Sequence, residues 1–234
     1  MKISFVIPTF NEHGNILILI KKINKITRDN EIDNEIIVVD DNSTDGTIQD
    51  VKALQIKQKN LRLVIRKKRL GVGSAHIVGY NLAKYNLIIS MDADLSHSPE
   101  KIPEFIEKLL KGYDIVIGSR YIKKGKTDKN LYHQIISKIG CYYLSKTLKI
   151  DIHDFSTGYR LIKKEIWNKI KHFNYSSGNT FLIESIYQAY KHNAKIVELP
   201  IHFKKRIIGK SKTPILKEAF KALMIPFKII FSRK

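Results

Sequence analysis

Short apolar runs recur at residues 3–7, 35–39, 61–65 and 87–91, and amphipathic stretches at 15–26, from about Thr47, and at 74–85 separate them. β-type runs alternating with helix-type runs predict parallel strands joined by crossover helices, an α/β sheet with helices on both faces. In such sheets ligands bind beyond the carboxyl ends of the strands. Those ends carry Phe10, Glu12, Asp40, Asp41, Arg66, Asp92 and Asp94.

At 234 residues and 43% hydrophobic content the chain can bury a large core, so one domain, or one domain with a tail, is expected. A single cysteine, Cys141, excludes an internal disulfide and a thiolate zinc cluster, which predicts a cytoplasmic protein. The first apolar run meets Pro8 too early for a secretory signal, and no run approaches the ~18 residues of a spanning helix. Any membrane contact would therefore lie along the surface. Lys and Arg number 42 against 22 Asp and Glu, a net charge of +20 that attracts nucleic acid, anionic membrane or phosphate substrates alike.

From residue 99 onward the pattern predicts helices at 99–110 and 131–148, a strand at 114–117, a basic loop at 120–130 and a turn at 154–158. Helices at 164–170 and 181–192 and a strand at 195–199 follow. The expected division is a main domain, 1–212, with a donor half at 1–98 and an acceptor half at 99–212, then a basic amphipathic helix at 213–234. In that helix Leu216, Phe220, Leu223, Phe227 and Ile230 form a stripe able to pack on the body or dip into a bilayer.

Asp92 and Asp94 stand two apart at the exit of a buried strand and can converge on one hard cation, Mg²⁺ or Mn²⁺, held on a diphosphate. Of Asp40 and Asp41, one can take ribose or base groups while the other caps the following helix. The first strand leads into Pro8-Thr9-Phe10-Asn11-Glu12 rather than a glycine fingerprint, which argues against a nicotinamide or flavin cofactor. Gly71-x-Gly73 is either a phosphate loop or a tightly packed turn. His97 and His153 are expected to be structural.

Residues 5–12, 39–47, 70–75 and 91–96 together resemble family 2 glycosyltransferases of the GT-A fold, a mostly parallel sheet with flanking helices in a single domain. Gly118-Ser119-Arg120-Tyr121, Asp154-Phe155-Ser156-Thr157-Gly158-Tyr159-Arg160 and Arg206-x-x-Gly209-x-Ser211-Lys212 resemble the dolichol-phosphate (polyprenol-phosphate) mannose synthases within it. The resemblance implies that Pro8, Phe10, Glu12, Asp41 and Asp92 hold GDP-mannose, and that Asp92, Asp94 and Ser96 hold the metal. It also implies that Arg120, His133 and Ser137 meet the acceptor phosphate, and that Asp94, Arg120, Arg206 and Lys212 act in catalysis. His133 stands where the subgroup has an arginine, and Lys129, Lys138 or a protonated His133 could supply that charge. Phe10 replaces a common tyrosine and Leu182 a common glutamine.

Three readings follow. The first is a metal-dependent inverting transfer of mannose from GDP-mannose to a polyprenyl phosphate at the cytoplasmic face of a membrane. The second keeps the fold but uses a UDP-sugar. The third is a basic nucleic-acid-binding protein, disfavoured because no nucleic-acid motif is recognisable and aromatics are not interleaved with the basic runs. Oligomeric state is not readable.

Overall fold

A computed structural model describes residues 1–206 and 215–231, with side chains in the final helix described from 218 to 228. Four strands form the expected parallel half: β1 (Lys2–Thr9), β2 (Asp33–Asp40), β3 (Leu61–Ile65) and β4 (Leu87–Ser90). They are joined by α1 (Asn15–Asp29), α2 (Thr47–Lys57) and α3 (Val72–Leu82). The later elements are α4 (Ile102–Leu110), β5 (Ile115–Ser119), β6 (Lys126–Thr127), α5 (Leu131–Leu148), β7 (Arg160–Lys163), α6 (Lys164–Ile170), α7 (Phe181–Lys191), β8 (Ile196–Pro200), β9 (His202–Phe203) and α8 (Ile215–Phe231).

The main sheet has seven strands in the order β3-β2-β1-β4-β7-β5-β8, and β6 pairs with β9 in a small second ladder. Alternation within each strand feeds two cores. Val6, Ile37, Val39 and Ile88 point to the face covered by α3, α5, α6 and α7, while Phe5, Ile7, Ile36, Val38 and Ile89 point to the face of α1 and α4. Helix α3 lies so close to β1 that a Cβ at Gly79 would overlap Val6.

Strand β7 was not foreseen. It runs antiparallel between β4 and β5, in the middle of the sheet. Its four residues begin with a buried arginine and end in lysine, which masks the apolar signal.

Helix α8 forms as expected, and its exposure bears on the two uses left open for the stripe. Phe220, Leu223 and Phe227 of the expected stripe are exposed, and the face against the body carries Ile225, 3% exposed, and Pro226. Lys228 Nζ lies 2.6 Å from Oε1 of the fully buried Glu184, and Tyr143 donates its hydroxyl to the Leu223 carbonyl at 3.3 Å. One face of the helix thus packs on α5 and α7 while an apolar face stays open. The side chains of Leu216 and Ile230 lie outside the described residues.

Candidate active site

The carboxyl ends of β1, β2 and β4 each lead into a residue with left-handed backbone: Asn11 (φ 54°), Asn42 (φ 63°) and Leu95 (φ 65°). Asparagine tolerates that region, whereas a bulky leucine is strained there, as is common where a loop must aim functional groups. The loops bring Glu12 and Asp94 together around one cation. Arg206 donates from Nη1 to Glu12 Oε1 at 2.7 Å and its Nη2 lies 3.0 Å from Asp94 Oδ2. Ser96 donates its backbone N–H and hydroxyl to Asp94 Oδ1, at 3.1 and 2.6 Å. Burial opposes ionisation of Asp94, but the Ser96 hydrogen bonds and the Arg206 charge hold its pKa below the usual carboxylate value. Ser96 is fully buried, and its hydroxyl and backbone N–H orient the Asp94 carboxylate.

The adjacent aspartates at β2 divide their work. Asp40 accepts from the Ser43 backbone and hydroxyl at 2.7 and 2.6 Å, which closes the turn before α2. Asp41 forms an ion pair with Arg66, both nearly buried, and accepts the Gly71 N–H at 3.0 Å. Arg66 in turn donates to the Gly71 carbonyl at 2.9 Å. Gly71 and Gly73 are required by packing, because a Cβ at Gly71 would sit 2.6 Å from the Ser177 carbonyl oxygen and one at Gly73 would meet Gly178. Of the two readings of this glycine pair, the tightly packed turn is the one the geometry explains. Phe10 lies under Arg69, whose Cζ is 4.4 Å from the ring centroid. Pro8 completes the β1 ladder opposite Val39.

Asp92 stands beside a buried histidine. His97 Nδ1 accepts the Asp92 N–H at 3.1 Å, which puts the ring proton on Nε2, 3.8 Å from Asp92 Oδ2. Among the described residues the Asp92 carboxylate has no hydrogen bond, and its side chain is 37% exposed. With Asp94 it offers hard oxygens to one side of the cleft. No group of three or more His, Cys, Asp or Glu side chains among the described residues forms a self-contained metal cage. The set therefore fits Mg²⁺ or Mn²⁺ shared with diphosphate oxygens, the usual way such cations use one or two carboxylates.

At the end of β5, Arg120 is held in a bidentate pair with Asp154, Nε to Oδ2 at 2.7 Å and Nη2 to Oδ1 at 2.8 Å, with side chains 3% and 0% exposed. Burial opposes the charge on Asp154, but Arg120 outweighs it and holds the carboxyl below its usual pKa. Arg120 also donates to Ser156 Oγ, which lies 3.4 Å from Ser137 Oγ on α5. The structure thus links Arg120 to Ser137 through Ser156 and gives the guanidinium an internal partner, Asp154. His133 belongs to the first turn of α5, its N–H capped by Asn130 at 2.9 Å, and its ring neighbours Tyr132. Lys129 feels the charges of Arg120, Asp92, Asp154 and Asp94 and lies 4.7 Å from the Phe203 ring centroid. His153 is structural, its Nδ1 2.8 Å from Glu198 Oε2. Lys212, with Gly209 and Ser211, lies outside the described residues.

Sequence reasoning passed over Asp154 as the partner of Arg120, Arg66 as the partner of Asp41, and Arg69 over Phe10. Asp154 stood in a quoted motif, but nothing linear links it to Arg120, 34 residues away.

The glycosyl transferase family 2 model matches residues 4–171. The chain belongs to this family. It is 36% identical over 219 residues to a dolichol-phosphate mannosyltransferase of Pyrococcus furiosus, covering 91% of this chain and 59% of that protein. It is 31% identical over 214 residues to a polyprenol monophosphomannose synthase of Mycolicibacterium smegmatis, covering 88% of this chain and 79% of that one. Among solved structures, glucosyl-3-phosphoglycerate synthase of Mycobacterium tuberculosis, in complex with Mn²⁺, UDP and phosphoglyceric acid, superposes with a TM-score of 0.71. That match has 18% identity and covers 96% of this chain and 78% of that one. The fold is the GT-A-type architecture that the motifs implied.

Proposed function

We propose that this family 2 chain transfers a hexosyl group, mannose from GDP-mannose, to a polyprenyl phosphate at a membrane surface, with inversion at the anomeric carbon. The observation that carries the reading is the convergence of Glu12, Asp92, Asp94 and Arg206 at the carboxyl ends of the strands, beside the Asp41–Arg66–Gly71 cluster. The sugar and the acceptor class are those in the names of the relatives from P. furiosus and M. smegmatis, and the GDP donor is the one the motif resemblance implies.

The chemistry suits these residues. A phosphate monoester, with a second pKa about 6, is already nucleophilic near neutrality, so its oxygen can attack the sugar C1 without a protein base while the C1–O bond to the diphosphate breaks. The protein must then align two anions and neutralise the leaving group. A divalent cation bound by Asp92 and Asp94 would supply part of that neutralisation. Arg206, freed from Glu12 and Asp94 when a donor enters, supplies a second charge to the diphosphate. Asp41 and Gly71 frame the nucleoside end, with Phe10 and Arg69 beside it. Arg120, fixed by Asp154, and Ser137 face the incoming phosphate, with Lys129 adding charge where His133 replaces a fixed cation.

No helix of the described residues is long and apolar enough to cross a membrane. The open face of α8, with Phe220, Leu223, Met224 and Phe227, adjoins α5, which exposes Leu131, Ile135, Ile139 and Tyr142 alongside Lys138 and Lys146. Apolar side chains ringed by lysine fit a peripheral contact with an anionic leaflet, which would deliver the lipid phosphate close to Ser137 on the same helix.

A donor panel decides the reading: GDP-mannose, UDP-glucose and UDP-N-acetylglucosamine, each with a short polyprenyl phosphate and Mg²⁺ or Mn²⁺. Mannosyl transfer from GDP-mannose alone, abolished by chelator, is expected. Transfer only from a UDP-sugar would replace the donor, and transfer undiminished in chelator would remove the metal from the mechanism.

A further inference from the structure

The loop at 176–179 lies between the C-terminal helix and the glycine turn that opens α3. On one side it meets α8. Lys228 Nζ lies 2.9 Å from Ser176 Oγ and 2.6 Å from Glu184 Oε1. Glu184, fully buried on α7, accepts the Ser176 N–H at Oε2 and the Ser176 hydroxyl at Oε1, both at 2.7 Å. Glu218, near the other end of α8, accepts from Asn179 Nδ2 at 3.1 Å. On the other side the Ser177 carbonyl accepts the Ser74 N–H at 3.1 Å. Gly71 and Gly73 press so closely on the loop that a Cβ on them would sit 2.6 Å from the Ser177 oxygen and 2.7 Å from the Ser176 oxygen. Ser74 continues the contacts inward: its hydroxyl donates to the Gly71 carbonyl at 2.8 Å and receives Arg66, the partner of Asp41. Direct contacts therefore run without a break from Lys228 to Asp41.

We propose that Lys228 is a positioning residue for the Asp41–Arg66–Gly71 cluster, acting through Glu184 and the 176–179 loop, so that the seating of α8 on the body sets nucleotide affinity. A glycine turn has no side chains to fix its own height above the sheet, and it takes its position from what it packs against. Here that surface is loop backbone. Residues 176–179 are Ser-Ser-Gly-Asn, with no apolar side chain to anchor them, so polar contacts hold the loop in place. Among the described residues Lys228 is the one cation paired with Glu184. Without it a buried carboxylate is left with no countercharge, turns toward water, and loosens its hold on Ser176. The helix that exposes Phe220, Leu223 and Phe227 is thereby tied to nucleotide binding, and by reciprocity bound nucleotide firms its seating. The inference rests on the reading of the cluster as the nucleoside end of the site.

Two measurements test it on the full chain. Binding of GDP, or of UDP where wild type prefers it, is followed by calorimetry with Mg²⁺ at a temperature where every variant is folded. Lys228→Met should weaken it about fivefold, and Lys228→Arg, which keeps the charge, should recover most of the loss. Ile23→Val, which loosens the opposite core on α1, should leave it unchanged. Unchanged affinity in Lys228→Met, or the same loss in Lys228→Arg or Ile23→Val, overturns the positioning role. In nucleotide-free protein, hydrogen exchange followed by NMR should speed about fivefold at the Gly71 and Ser74 amides of Lys228→Met. The amides of α2, whose Val51 packs in the opposite core, should keep their wild-type rates. No change at Gly71 and Ser74, or an equal rise in α2, overturns the route. If Lys228→Met does not fold, Asn179→Ala, which opens the second contact of the loop with α8, carries both expectations. A wild type that binds neither GDP nor UDP defeats the nucleoside reading instead, while hydrogen exchange still decides the coupling.

Discussion

Each half of the molecule hides one aspartate–arginine pair behind its strand ends, and the two pairs are built differently. In the N-terminal half Asp41 and Arg66 follow consecutive parallel strands, β2 and β3, and share a glycine turn. In the C-terminal half Arg120 and Asp154 join β5 to a loop that Glu198 holds, accepting the His153 and Asp154 N–H groups at 2.9 Å. Arg160 then fixes the same loop, donating to the carbonyls of Thr157, Leu182 and Phe155. The N-terminal half is held by alternating aliphatic strands with polar groups added at their ends. The C-terminal half depends on buried polar groups for its shape, so damage there should appear first in stability.

Asp154→Ala sets the sharpest test, because it leaves the Arg120 guanidinium buried and unpaired, at a cost of about 3–5 kcal/mol. Denaturant unfolding should show this at neutral pH. Since the native carboxyl titrates below its unfolded value, the wild-type advantage is present above the ordinary carboxylate range, ~4, and fades as pH falls through the depressed native pKa. An equally large destabilisation in acid would mean that the pair's charge is irrelevant.

Asp94→Ala is the N-terminal counterpart and should reverse the pattern: transfer falls about 10²–10³-fold, as when a leading charge-stabilising group is lost, with the melting temperature nearly kept. Added Mn²⁺ should not restore it. A variant with full activity removes Asp94 from the site.

Arg206→Ala separates binding from turnover. Because the guanidinium already has two carboxylate partners in this state, free GDP should bind nearly as well as to wild type while turnover drops about tenfold or more. Equal losses in both would make it a simple binding residue.

Lys228→Met carries the smallest effect. Among the described residues it leaves the buried Glu184 with only Ser176 as partner, at Oε1 and Oε2, and should cost about 1–3 kcal/mol. By the same contacts, removal of 214–234 should destabilise the body. Phe227→Glu on the open face should instead keep stability and weaken liposome binding. The reverse pair of outcomes would place the membrane contact elsewhere.

Much of the N-terminal half was legible because its information is local. Runs such as 35–39 pair with neighbours that follow closely in sequence, so periodicity alone assigns them to strands, and acidic residues at their ends mark the ligand face. The same rule hid β7. Four residues inserted antiparallel between strands more than forty positions away take their place from partners, and Arg160 is tolerable there only because three carbonyls receive it.

The sequence by itself determined the parallel strands, the carboxylates at their ends and the length of α5, since apolar periodicity and strand-end chemistry are properties of short segments. Tertiary structure decided which of two neighbouring aspartates caps a turn, that Ser96 serves Asp94, that Arg206 reaches Glu12 across 194 positions, and which face of α8 meets the core. Those choices depend on groups far apart in the chain competing for the same hydrogen bonds and the same buried space, which spacing in a sequence does not encode.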